Sequence, residues 1–450
     1  MLRQLSFSNF KTWDRAELGF GRITGLFGTN SSGKSSLLQF LLLLKQTKEA
    51  TDRAISLDFN GPYVTLGVYR DMIHAHDEER SLSWDLAFER ERDLVLINPE
   101  SKRTEILTRG KTIRTSGAVS ARDPGPSAEK LEYEIGGLRF RLAPKAAGDT
   151  HFELTSEGGG FKFRRTQGRP WQLPGPIKSY AFPDQARTYF QNASFLSDLE
   201  AAFEEQIDQL YYLGPLREYP QRDYLWARSR PRDVGLRGEK AIEAILAATA
   251  DGEQRNRMRK GRLLPFQGMI AYWLQQMGLI HDFKVVEIAT GSNRWQAKVW
   301  VRKGGIEALL TDVGFGVSQV LPVVTLLQYV PEGSTVILEQ PEIHLHPLAQ
   351  AHLADVILAA ALHRDVQVII ESHSEHLLLR LQRRVAEGAI SNEDLKLYFC
   401  DAVNGTSRLA PLRVDLFGSI DNWPEHFMGD AFGETYAAEK ARLKRMAEAG

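Results

Sequence analysis

Three observations predict an α/β fold. A short apolar segment, Arg22 to Phe27, runs into Gly28-Thr29-Asn30-Ser31-Ser32-Gly33-Lys34-Ser35-Ser36, and a Leu-rich run of helix length, Ser36 to Lys45, follows. Much later, Thr335 to Glu339 is a buried-type strand that ends in a carboxylate. Val366 to Ile370 is a second such run, followed by Glu371-Ser372-His373-Ser374, and the segment between them, Leu348 to Leu362, reads as a helix. Strands alternating with helices are the pattern of an α/β domain.

The nine residues from Gly28 match G-x-x-x-x-G-K-[ST], in the strand–loop–helix context that a phosphate cradle needs. Glycines let backbone N–H groups close around an anion, and the helix N-terminus adds partial positive charge. Gly28, Asn30, Ser31, Ser32, Gly33, Lys34, Ser35 and Ser36 are therefore candidate nucleotide-binding residues. Lys34 would reach the β/γ-phosphates and Ser35 would hold Mg²⁺. The motif marks a nucleoside triphosphate site and leaves open what the energy is used for.

Bulk properties narrow the class. The chain has 450 residues, 43% hydrophobic and 25% charged, enough apolar material for a sizeable core. A net charge of −1 argues against a polyanion-coating protein. Cys400 is the single cysteine, so there is no internal disulfide and no cysteine-based metal cluster; it is expected in the core of a Leu395-to-Cys400 strand. The first residues lack a signal-peptide pattern, and the longest apolar run, Val356 to Leu362, is far below the ~20 residues of a membrane span. A cytoplasmic protein without membrane contact is expected.

Taken in order, Leu2 to Phe7 and Ala16 to Phe20 read as strands around a turn at Asn9-Phe10-Lys11-Thr12. This edge sheet is expected over the nucleotide, with Phe10, Lys11 and Trp13 near base or phosphates. For Lys11 a solvated surface position stands beside a phosphate contact. Ile55 to Phe59, Leu82 to Phe88 and Asp93 to Ile97 read as strands, and the Gly67-to-His74 loop between them is a candidate γ-phosphate responder. From Glu105 to Arg165 the chain reads as a β-rich insertion, with hairpin signals at Gly136-Gly137 and Gly158 to Gly160 and a loop over Ser116 to Ser127.

Phe190 to Leu210 has helical spacing through Phe195, Leu196, Leu199, Phe203 and Ile207. Tyr211 to Leu213 is a short strand leading into Gly214-Pro215-Leu216-Arg217, a loop that also carries Tyr219 and Arg222. Helices follow at Ala241 to Ala248 and Pro265 to Leu279. The basic run Arg255, Arg257, Arg259, Lys260 and Arg262 fits a solvated loop or a nucleic-acid backbone contact. A hairpin spans Phe283 to Thr290 and Trp295 to Arg302.

Two further segments carry chemistry. Leu309 to Gln319 places Thr311, Asp312, Gly314, Gly316 and Ser318 at the start of a helix, as a plain cap or as donors to an anion. After Glu339 come Gln340-Pro341-Glu342-Ile343-His344-Leu345-His346-Pro347. His344, His346 and His373 lack the H-x-x-x-H spacing of helical zinc sites, so the pair His344/His346 reads as structural.

Together these pieces resemble the ABC-type ATPase heads of the SMC, RecF and OLD group. More closely they resemble the compact AAA-family ATPases of bacterial anti-phage systems such as Septu and some retron operons. The resemblance covers about Met1 to Gln46 and Leu309 to the C-terminus, and it reaches the middle only in pieces such as the Gly-Pro-Leu-Arg loop. Asp312-Val313-Gly314-Phe315-Gly316, the Glu339-to-Pro347 run and Glu371-Ser372-His373-Ser374 carry most of its specificity. Asn422-Trp423-Pro424-Glu425-His426-Phe427 resembles a short C-terminal region that accompanies such ATPases.

The resemblance implies a P-loop ATPase head with a mixed sheet, a β-rich insertion and a helical subdomain, divided at about 1–104, 105–181, 182–280, 281–400 and 401–450. It implies ATP and Mg²⁺ as cofactors, a basic nucleotide contact at Lys11 and a metal-associated acid at Glu339. The signature at Thr311, Asp312, Gly314 and Gly316, with Ser318 as alternative hydroxyl, would serve a second subunit in trans. His346 would lie at the dimer interface, and His373 matches the switch histidine. The position after the acid is normally a glutamate that orients the attacking water, and here it is Gln340. An amide orients water but is a poor general base, so slow turnover and a long-lived ATP-bound dimer are expected, with Glu342 as an alternative base. The favoured function is an ATPase that dimerises around ATP and regulates a separate effector, a nuclease, in anti-phage defence, since neither a nuclease motif nor a coiled-coil arm is visible. The alternative is a stand-alone RecF-like DNA-repair ATPase that binds nucleic acid. A kinase sharing only the phosphate loop is disfavoured, because no acceptor-site motif supports it.

Overall fold

The structure is a computed structural model that describes residues 1–100, 105–121, 125–146, 150–168, 172–256, 261–424, 438, 440–442 and 445. A six-stranded mixed sheet runs Thr406–Leu412, Leu395–Val403, Ile23–Gly28, Gln367–Glu371, Thr335–Glu339, Leu210–Leu213 from edge to edge. The inner pairs are all parallel, and Thr406–Leu412 closes one edge antiparallel to its neighbour. The phosphate-loop strand, Ile23–Gly28, and the acid strand, Thr335–Glu339, thus flank the Gln367–Glu371 strand between them.

Alternation along these strands divides them between two cores. Ile337, Ile369, Leu26 and Cys400 face one cluster, which holds the helix Lys34–Glu49 and the N-terminal sheet. Val336, Leu338, Val368 and Ile370 face the other, built on the helices Phe315–Tyr329 and Pro347–His363. Burial on both faces explains why the three middle residues of the acid strand and of its neighbour are all apolar.

The second large sheet has seven antiparallel strands, in the order Trp13–Gly19, Leu2–Phe10, Leu82–Ile97, Ile106–Ser120, Ser127–Ile135, Leu138–Pro144, Phe152–Glu157. Residues 105–157 therefore extend the N-terminal sheet and share its core. Between 182 and 280 the described residues hold the helices Leu196–Asp208, Ala241–Ala250 and Phe266–Gln276, and they also lend Leu210–Leu213 to the mixed sheet. Asp282–Glu287 and Arg294–Trp300 form the expected hairpin.

Four local expectations are corrected. Ile55 to Phe59 is not a strand, because side chains of the helix Lys34–Glu49 take its backbone groups: Gln46 Nε2 donates to Asp58 O, and Asp58 N donates to Thr47 Oγ1 at 2.9 Å. Ser116 to Ser120 is the end of a strand, not a loop; its small residues make room for Trp84, whose ring lies where a Cβ on Gly117 would go. Phe190 to Leu210 is not one helix. Buried Asn192 breaks it by donating to Lys162 O at 2.9 Å and accepting from Arg164 N at 2.9 Å, and Phe190 and Phe195 join an aromatic cluster with Phe140, Phe161 and Phe163. Gly136-Gly137 joins two strands as expected, whereas Gly158 to Gly160 follows the last strand of its sheet and turns the chain away.

Candidate nucleotide-binding site

The candidate site lies at the C-terminal ends of the parallel strands, where α/β sheets place their ligands. Gly28, at φ 140°, ends its strand so tightly against the next one that a Cβ there would overlap Cys400 O. Gly33, at φ 90°, caps the helix Lys34–Glu49, and a Cβ there would overlap Ser407 Oγ. Trp13 Nε1 donates to Gly33 O at 3.1 Å, so the loop is held from outside by the N-terminal sheet. Ser31, at φ 61°, takes a left-handed conformation that costs energy for a non-glycine residue.

The loop encloses a cavity of about 330 Å³. Of the sequence-predicted residues, Lys11, Asn30, Ser31, Ser32, Gly33, Lys34, Ser35, Ser36, Gln340 and His373 line it. Glu371, to which the sequence reading gave no role, lines it too. Lys34 Nζ donates to Thr29 O at 2.5 Å and to Gly28 O at 3.1 Å, a fold-back onto the rim where an anion's oxygens would compete for it. Burial lowers the pKa of Lys34, and Glu371 partly offsets this. Lys11 Nζ donates to Gln39 Oε1 at 2.7 Å. Lys11 and Ser36 also border an adjoining cavity of about 480 Å³, together with Asp71, His74, His76 and Asn404. Phe10 does not approach the site as expected, being fully buried and packed on Phe7 and Phe40, and Trp13, also fully buried, reaches the loop only through its bond to Gly33 O.

Two carboxylates stand side by side at the strand ends. Glu339 and Glu371 are direct partners in the parallel register, so their side chains share a face, the one covered by the helix that starts at Lys34. Ser35 Oγ donates to Glu371 Oε1 at 3.0 Å, and Glu371 Oε2 is buried with no hydrogen-bond partner. Glu339 Oε1 instead accepts from Tyr212 Oη at 2.9 Å. Burial, and then the Glu371 charge, push Glu339 up to about 7.

Glu342 is not at the cavity wall. It is buried, and its Oε1 accepts from Ser372 Oγ and from the His373 backbone N–H, both at 2.8 Å. Gln340 has φ 44°, and its N–H donates to Glu371 O at 2.8 Å. The pKa of His373 is lowered, by burial first and by Lys34 second.

The segment from Thr311 to Ser318 lies apart from this cavity. Thr311 Oγ1 donates to Asp312 Oδ1 at 3.0 Å, and Arg222 reaches Asp312 at 3.4 Å. Gly314 caps the helix Phe315–Tyr329, and Gly316 packs so closely that a Cβ would stand 3.1 Å from His344 O. Ser318 is buried and donates to Phe315 O at 2.9 Å. Phe315 is 55% exposed, with its ring between Tyr219 and His344 at 5.8 and 6.2 Å. His346 caps the next helix through a 3.4 Å contact from Leu348 N. Of the basic run, Arg255 is committed to Glu253 and to Gln328 O, while Arg257, Arg259 and Lys260 lie outside the described residues. Among the described residues no cluster of three His, Cys, Asp or Glu side chains suits a metal, and no helix is long and apolar enough to cross a membrane.

A protein family described as "AAA domain, putative AbiEii toxin, Type IV TA system" matches residues 23–380. The chain belongs to this AAA family. Membership makes it a P-loop ATPase, with ATP and Mg²⁺ the ligands that such a domain binds in general. A second family, described as "Protein of unknown function (DUF3696)", matches residues 390–437 of the AAA protein. Comparison with curated proteins gave no match.

Solved structures similar to the AAA chain include three SMC heads. The SMC head domain from Thermotoga maritima is 12% identical at a TM-score of 0.42, covering 92% of this chain and 99% of its own. An Smc head bound to the C-terminal winged-helix domain of ScpA is 11% identical at 0.47, covering 92% and 98%. The Smc head with an extended coiled coil, bound to a ScpA domain derived from Pyrococcus furiosus, is 10% identical at 0.47, covering 92% and 96%.

The residues present fit both ligands. Lys34 and the loop's backbone N–H groups suit phosphates, and the hydroxyl and carboxylate oxygens of Ser35, Glu371 and Glu339 suit Mg²⁺, a hard cation that takes oxygen ligands. Bound there, Mg²⁺ would neutralise charge on the phosphate oxygens.

Proposed function

We propose that this AAA ATPase binds Mg-ATP at the phosphate loop, closes its signature face on a second copy across the nucleotide, and turns ATP over slowly. In that clamped state it would regulate a separate effector, a nuclease, in defence against phage. The observation that carries the dimer is the separation of the two halves of the site: the wall holding Lys34, Ser35 and His373 excludes Thr311, Gly314 and Phe315, and Phe315 is exposed. Residues that line no part of their own subunit's phosphate-loop cavity are suited to complete the site of a second one.

In this reading Gly28, Asn30, Ser31, Ser32, Gly33, Lys34 and Ser36 hold the phosphates, and Lys11 adds a cation at the mouth of the cavity. Ser35 holds the metal, with the strand-end acids beside it. Gln340 orients the attacking water without accepting its proton, which makes hydrolysis slow. His373 faces the γ-phosphate, positioned through its backbone by Glu342. Thr311, Asp312, Gly314 and Gly316 serve the partner's nucleotide, His346 lies at the interface, and Ser318, turned inward, holds the signature turn. The family description, which names a toxin of a toxin–antitoxin system, supports a role in defence.

The test is affinity capture from the native host in Mg-ATP, with Lys34→Ala as control. A second protein in fixed ratio, lost in the control, is the expected result. A bare homodimer that binds duplex DNA in a salt-dependent way would overturn the effector role.

A further inference from the structure

The paired carboxylates divide their work unequally. Parallel register puts Glu339 and Glu371 on adjacent strands and on one face. Two like charges at that spacing repel, so each needs its own compensation. Glu339 has Tyr212 Oη on Oε1, and the Arg217 guanidinium lies close by, donating from Nη2 to the Glu339 backbone O at 3.2 Å. Its attachments run back toward the Leu210–Leu213 edge strand, and it is not part of the cavity wall.

Glu371 is placed the opposite way. It lines the phosphate-loop cavity at 3% exposure. Its Oε1 meets Ser35 Oγ, the hydroxyl that the phosphate-loop pattern assigns to Mg²⁺, at 3.0 Å. Its Oε2 is buried and unpaired. A buried carboxylate oxygen without a partner is costly unless a cation or water meets it. We infer that Glu371, at the end of the strand between the phosphate-loop and acid strands, is the carboxylate that faces the nucleotide-bound divalent cation beside Ser35, while Glu339 acts behind it as a positioning residue tied to Tyr212. This rests on the reading above that the site binds Mg-ATP. The assignment moves the principal metal acid one strand toward the phosphate loop from the position the sequence suggests.

The test uses the full chain, a fluorescent ATP analogue and Mn²⁺ as the spectroscopic stand-in for Mg²⁺. Analogue binding is measured in EDTA, and Mn²⁺ affinity of the nucleotide complex is then measured by the loss of the free-ion electron paramagnetic resonance signal. Glu371→Gln keeps the shape and can still accept from Ser35, so thermal unfolding should show an intact fold. It is expected to weaken Mn²⁺ binding at least about tenfold and to leave metal-free analogue binding within about twofold, while Glu371→Asp recovers part of the loss. Glu339→Gln is expected to cost less than Glu371→Gln. Unchanged Mn²⁺ affinity in Glu371→Gln, or a larger loss in Glu339→Gln, overturns the assignment. Wild-type protein that binds no analogue with or without metal overturns the ATP reading itself, a separate outcome.

Discussion

Glu342 accepts a hydrogen bond from Ser372 Oγ at 2.8 Å, and the same oxygen takes the N–H of His373. The carboxylate two residues beyond Gln340 is therefore a strut under the loop that carries His373. It ties the end of the acid strand to the end of its neighbour, so a shift of one moves the other.

Removing that strut has a definite expected cost. Glu342→Ala leaves Ser372 Oγ and the His373 N–H without their acceptor in a buried place, which should destabilise the protein by about 1–3 kcal/mol. Denaturant unfolding checks the stability. ATP turnover should fall more than ATP affinity, because the loop that carries His373 loosens while the phosphate loop stays intact. Equal losses in both would assign Glu342 to nucleotide binding.

Gln340 offers the complementary change. Gln340→Glu puts a carboxylate where the side chain already lines the cavity, and turnover in steady-state assays should rise at least about tenfold. No rise would place the proton acceptor elsewhere.

The phosphate loop tolerates no side chain at position 33. Gly33→Ala meets both a φ of 90° and the Ser407 hydroxyl, so ATP binding should be lost in calorimetry. Ser407→Gly in the same chain removes one overlap but leaves Trp13 Nε1 at 2.8 Å, Thr12 Oγ1 at 2.9 Å and the backbone conformation, and should restore little binding.

Cys400 tests the packing beside that loop. Burial pushes its thiol up to about 12, and it is fully buried. Below that pH the thiol stays protonated and enclosed, so a disulfide reagent at pH 8 should label it only at the rate of unfolding. Fast labelling of native protein would mean that the strand pair Ile23–Gly28 and Leu395–Val403 opens readily.

Much of this was legible in the residues. Lys34 and Ser35 follow from a motif and its spacing, because anion binding by backbone N–H groups constrains sequence locally, whereas Gln340 comes from the family resemblance. The strand Thr335–Glu339 was legible in full, because burial on both faces leaves an uninterrupted apolar run. Glu371 escaped because its importance comes from register: only the pairing of Glu339 with Glu371 and of Glu371 with Leu26 brings it beside Ser35. Phe190 and Phe195 misled for a related reason. Their helical spacing is real, but an aromatic cluster on distant strands claims them, and Asn192 breaks the helix between them. Phe10 and Trp13 read as nucleotide neighbours, but both are buried in the core under the loop, and only Trp13 touches it, through Gly33 O.

The central claim is a site completed by a second copy, and native mass spectrometry of the purified chain in Mg-ATP tests it most directly. The expected result is a dimer carrying two nucleotides, absent in Lys34→Ala and much reduced in Phe315→Ser, which should still bind one ATP per monomer. A wild-type chain that saturates with ATP and remains a monomer would contradict it.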